Sequence, residues 1–80
     1  MNNMIISIIN NWNPIEIYPL LSDEYHSEST SVTDAVIKSD SIEMLAIEIF
    51  NIFKQSFDKE FTKSLEECEV IAEQLLKYKL

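Results

Sequence analysis

Apolar residues recur at helical spacing along most of this chain, most regularly in SIEMLAIEIFNIFKQSF, from Ser41 to Phe57. At about 100° per residue, Ile42, Leu45, Ala46, Ile49, Phe50, Ile52, Phe53 and Phe57 share an arc of roughly 160°. Glu43, Glu48, Asn51, Lys54 and Gln55 lie opposite. A surface helix needs an apolar stripe of only about 100°, so this one is expected to meet neighbours on two sides and to form the hub of the core. Asp40 reads as its N-cap, with Glu43 as the capping-box partner. Met44 and Ile47 are apolar but fall outside the arc, Ile47 near the polar edge and Met44 on the far side.

The same periodicity predicts three further helices. Met4 to Trp12 places Met4, Ile5, Ile8, Ile9 and Trp12 on one side, with Ser7, Asn10 and Asn11 opposite. Asn13-Pro14 breaks that helix, Pro14 can open a single turn through IEIY, and Pro19 stops it. Ile15, Ile17, Leu20 and Leu21 make this connection too apolar for a free loop, so it is expected to lie across one end of the bundle. Ser22 reads as the N-cap of a second helix from about Asp23 to Lys38, whose narrow apolar face is Tyr25, Val32, Ala35 and Val36. Its interior is rich in Ser and Thr, poor helix formers that compete for backbone hydrogen bonds. The last helix, capped by Thr62 or Ser64, runs to about Tyr78, with Leu65, Cys68, Ile71, Ala72, Leu75, Leu76 and Tyr78 on one arc. The fold class is therefore all-α: a small four-helix arrangement with a short N-terminal helix and a proline-bounded apolar connection packed on the core. Residues 1–80 are read as a single helical domain.

Composition narrows the function more than it identifies it. A formal charge of −8, with six lysines and no arginine, disfavours nucleic acid and anionic membrane surfaces as partners. No segment reaches the roughly 20 apolar residues of a membrane span, and the N-terminus carries neither a basic n-region nor a small-residue cleavage site. A lone cysteine excludes an internal disulfide, and the expected location is the cytoplasm. The absence of glycine removes phosphate-binding loops, dinucleotide-binding turns and glycine-flanked nucleophile elbows.

Several stretches together carry a family resemblance: Trp12-Asn13-Pro14-Ile15, Asp23-Glu24-Tyr25 followed by Ser27-Glu28, Phe57 with Phe61-Thr62, and the Glu-rich TKSLEECEVIAEQLL. Across nearly its whole length the chain resembles a family of small helical bacterial proteins catalogued as a domain of unknown function. Members usually carry Trp-Asp-Pro and a glycine soon after, where this chain has Asn13 and no glycine. The resemblance implies an all-helical fold and no particular activity, cofactor or partner. A composition rich in Ile, Asn and Lys and free of Arg also suits an AT-rich bacterial or phage genome.

Candidate chemistry is sparse. Cys68 falls on the apolar face of the last helix, the setting of a small buried hydrophobe rather than of a reactive thiolate. His26 could share a divalent ion with Asp23, but the chain lacks the Glu-x-x-His pairs of di-iron bundles. Glu28 falls on the second helix's buried face and is expected to accept a hydrogen bond from the Trp12 indole, a lysine or backbone N–H groups, tying that helix to the connection before it. Glu66, Glu69 and Glu73 form an acidic stripe on the last helix, and Met44 and Ile47 an apolar contact patch. These features lead us to expect a non-enzymatic, acidic protein-interaction module: a regulator, inhibitor or immunity-type protein that meets a basic protein surface, with no catalytic, cofactor or metal residues. The alternatives are a self-associating homodimer without an external partner and, last, a metal- or ligand-binding bundle.

Overall fold

A computed structural model describes residues 2–19 and 24–78, with side chains from Met4 onward. Four α-helices follow one another: α1 (Asn2–Trp12), α2 (His26–Lys38), α3 (Ile42–Phe57) and α4 (Leu65–Leu76), with a 3-10 turn at Asp58–Glu60 after α3. No strand occurs among the described residues. The all-α four-helix class expected from the periodicity is the class observed.

The wide apolar arc of α3 is satisfied on two flanks, by α4 on one side and α2 on the other. Helix α1 touches α2 and α4 in turn, so the four helices close a ring around a common core. Leu45, Ala46, Ile49 and Phe53 of α3 point into it and are buried. Ile5 and Ile9 of α1, Val32, Ala35 and Val36 of α2, and Cys68, Ile71, Ala72 and Leu75 of α4 meet them there. At about 25 cal/mol per Å² of apolar surface, each buried Val, Leu or Ile among them contributes roughly 1.5–3 kcal/mol.

The core is aromatic at one end. Phe53 lies at the centre of a ring cluster, edge-on to Trp12 (5.7 Å between centroids) and Tyr25 (5.9 Å) and stacked with Phe57 (6.1 Å) and Phe61 (5.7 Å). Phe61 belongs to no helix, and the sequence pattern gave it no role. It nevertheless folds back beneath Phe50 and is only 3% exposed. It thereby fixes the path of the chain from α3 into α4.

Helix ends depart from expectation in informative ways. Ser41, not Asp40, caps α3, its hydroxyl accepting from the Met44 N–H at 3.1 Å. Ser41 holds the extended backbone that an N-cap requires, so Glu43 cannot stand three residues beyond the cap. Ser64 rather than Thr62 caps α4, accepting from the Glu67 N–H at 3.1 Å. Helix α2 begins at His26, behind Tyr25, which makes no side-chain capping bond; Ser22 and Asp23 lie outside the described residues. At helix ends, Met4 (44% exposed), Leu65 (40%) and Tyr78 (38%) were expected on buried faces and are only partly covered.

The single helical turn expected after Pro14 is absent. Asn13 and Glu16 take positive φ angles of 47° and 58°, the left-handed region in which Asn is among the best-tolerated residues. The Glu16 N–H donates to the Asn13 carbonyl at 2.9 Å, closing a turn with Pro14 at its second position. Tyr18-Pro19 is a cis peptide. Ile15 and Ile17 pack on the core as anticipated; Leu20 and Leu21 lie outside the described residues.

Candidate functional site

Two parts of the molecule concentrate polar or exposed apolar groups without belonging to the common core. The first is internal. The Asn13 side chain bridges the Ile17 peptide, its Nδ2 donating to the Ile17 carbonyl (2.9 Å) and its Oδ1 accepting from the Ile17 N–H (3.1 Å). These opposed partners fix the amide orientation. The Tyr25 hydroxyl donates to the same Oδ1 and accepts from the Ile15 N–H at 3.1 Å. Burial pushes the Tyr25 phenol above its usual pKa, opposed by the Ile15 N–H and assisted by the charges of Glu24 and Glu28. Every polar atom here has a structural partner, so the group works as a latch between the α1–α2 connection and α2.

Glu28 stands beside this latch. It is half-buried, at the margin of the α2 face rather than its centre, and Ser29 takes the fully buried position next to it. Among the described residues no donor hydrogen-bonds to Glu28, and the Trp12 indole turns instead to the edges of Phe53 and Phe61. The tie expected of Glu28 is made, among the described residues, by Tyr25 and Asn13. Nothing in the sequence marked Asn13 for this role except its place before Pro14.

The second part is the outer face of α3. Met44 and Ile47 are 51% and 50% exposed. Three residues apart on a helix, they are side-chain neighbours, and each overlooks a groove. On the α2 side a cleft of about 390 Å³ is lined by Ser31, Asp34, Ala35, Lys38, Ser39, Met44, Glu48 and Ile52. The Lys38 ammonium meets Asp34 at 3.0 Å along its rim. On the α4 side a smaller groove, about 220 Å³, is lined among the described residues by Ile47, Phe50 and Leu65.

Helical geometry carries the acidic stripe to the border of this second groove. Counting from Leu65, Glu69, Glu73 and Glu66 follow at about 40°, 80° and 100° around α4, away from its buried side. Glu69 is half-buried against the bundle; Glu66 and Glu73 are exposed. Glu43 stands one turn before Ile47 on the facing helix, and Lys54, one turn after Phe50, is the base on that rim. Sequence reasoning identified Met44, Ile47, Glu66, Glu69 and Glu73 separately; the packing of α3 on α4 brings Ile47 and the three glutamates to one side of the molecule.

The remaining candidates fall elsewhere. Cys68 is fully buried, and burial pushes its thiol up to about 11, with Glu67 adding to the shift. His26 is exposed, and its suggested partner Asp23 lies outside the described residues. Among the described residues no three metal-ligating side chains gather, and no helix is long and apolar enough to cross a membrane.

Residues 4–80 match the family described as a domain of unknown function (DUF1871), and the chain belongs to that family. Comparisons with curated proteins and with solved structures gave no match.

Proposed function

We propose that this chain is a small, non-enzymatic interaction module whose outer α3 face and acidic α4 stripe engage a basic protein surface. The observation that carries this reading is the pairing of half-exposed Met44 and Ile47 with carboxylates: large apolar side chains left in water beside fixed negative charge. An apolar contact supplies affinity, and the charges select a cationic partner and speed its approach. A regulator, inhibitor or immunity-type protein of bacterial or phage origin, acting in the cytoplasm, fits such a surface. No cofactor enters the proposal.

Self-association is the competing outcome. A two-fold contact through this face would bring two acidic faces together, and a net charge of −8 adds general repulsion. Light scattering over a concentration series is expected to give a monomer at low ionic strength. Affinity capture repeated across salt concentrations tests the rest: binding to a basic partner should fall steeply as the screening length shrinks from about 10 Å at 0.1 M to about 3 Å at 1 M. A concentration-dependent dimer, or capture indifferent to salt, contradicts the proposal.

A further inference from the structure

We infer that the groove between α3 and α4 receives one face of a lysine- or arginine-rich amphipathic helix from a partner protein. An aliphatic side chain would seat between Ile47, Phe50 and Leu65. This deepens the acidic-face reading above and rests on it. The two grooves beside α3 differ in chemistry. The α2-side cleft holds Asp34 paired to Lys38, with serine hydroxyls and Glu48 on its walls, so its charges are partly neutralised within the molecule. The α4-side groove presents only apolar side chains, in a volume suited to one leucine-sized group. On the α3 and α4 sides that flank it stand Glu43, Glu66, Glu69 and Glu73, against Lys54 and, one turn beyond Glu73, Lys77. The nearby Lys63 is held 3.0 Å from Glu16, a bond that raises its pKa and keeps its charge committed to the α1–α2 connection.

An apolar slot with an anionic border is complementary to a helix carrying aliphatic residues at i, i+3, i+4 and i+7 and cations on their flanks. A second copy of this chain offers no such element, since its six lysines are dispersed and its helices are acidic or neutral on their outer faces. Charge therefore selects a foreign cationic helix over self-pairing.

The test uses the full chain, isotopically labelled, titrated with a synthetic helix of leucine and lysine at that spacing. A twin peptide with glutamate at every lysine position serves as the control. The lysine peptide is expected to bind saturably, with amide shifts centred on Ile47, Phe50, Leu65 and Glu69, and the glutamate twin not to bind. Ile47→Asn and Leu65→Asn, which leave the charge unchanged, should each weaken binding about tenfold. Val70→Asn, a more exposed apolar site farther around α4, should change it less than about twofold. Dispersed amide spectra establish that each variant is folded, and Ile47→Ala provides a milder truncation of the same contact.

Shifts centred on Met44 and Ile52, or binding unaltered by Ile47→Asn and Leu65→Asn, overturn the groove assignment while leaving the acidic-face reading intact. Equal losses in Val70→Asn reduce the binding to diffuse attraction and likewise overturn the groove assignment. Equal binding of the glutamate twin, or none of the lysine peptide, overturns both.

Discussion

Asn13 is the side chain on which the α1–α2 connection turns. It supplies a positive φ, holds both polar atoms of the Ile17 peptide and accepts the Tyr25 hydroxyl. Asn13→Ala removes all three hydrogen bonds and places a Cβ-bearing residue without local compensation in the left-handed region. The expected destabilisation is about 2–4 kcal/mol by denaturant melting. Asn13→Gly restores the backbone and should recover about 1 kcal/mol of it. Tyr25→Phe strands the Ile15 N–H, at a cost of about 1–3 kcal/mol. Equal stability of all three variants would mean that the latch contributes nothing.

Cys68 makes a sharper case, because its titration is tied to folding. Its folded-state pKa is raised to about 11 from an ordinary value of 9.0, so the folded protein binds the proton more tightly than the unfolded chain. Stability from this group is therefore fully present below about pH 9 and is lost as the pH rises towards and through 11. Tyr25 is shifted the same way and adds to alkaline destabilisation. Cys68→Ala should flatten the fall in melting temperature between about pH 9 and 11. In the wild type, a thiol reagent at neutral pH should label Cys68 only as fast as the protein unfolds.

Among the elements, α3 and α4 were largely legible in the sequence because each carries an unbroken 3.6-residue pattern. Every residue placed on the α3 arc is buried or packed on the core. What periodicity cannot resolve is the end of a helix, where Asp40 and Ser41 are equally good caps in composition and the choice depends on which residue is extended. Ser41→Ala and Ser64→Ala should each cost about 1 kcal/mol, while Asp40→Ala should fall within about 0.5 kcal/mol of wild type. Chemical denaturation measures all three. The packing of the α1–α2 connection on the core was legible in Ile15 and Ile17, but its internal bonding was not: the Asn13–Ile17 bridge and the Tyr25 contact are side-chain bonds that no hydropathy pattern encodes. Phe61 was missed because a single buried aromatic in a connection has no period at all.

Helix α2 is the weak element. Among the described residues it has no side-chain cap and no hydrogen-bond partner for the buried Ser29 hydroxyl, and it turns Thr30 and Thr33 back onto the carbonyls of His26 and Ser29. Such back-bonds bend helices and add little to their stability. Amide hydrogen exchange should open His26–Lys38 before the middle of α3, by local fluctuation rather than global unfolding. Slower exchange in α2 than in α3 would contradict this ranking.

At the scale of the molecule, charge and packing act on the same surface. The ring of helices encloses the aliphatic and aromatic core but leaves the outer face of α3 uncovered, with apolar side chains that folding alone would not require there. The charge and the unpaired apolar residues were both readable from composition and wheel positions. Their convergence was not, because the angle at which α3 meets α4 is a property of packing, set in part by Phe61 beneath Phe50. The most direct test of the interaction account replaces Met44 and Ile47 together by lysine and measures affinity capture of a partner, with the melting temperature recorded alongside. The account predicts that capture is abolished while melting stays within a few degrees of wild type. Capture that persists in a folded double variant, or a variant that no longer folds, would contradict it.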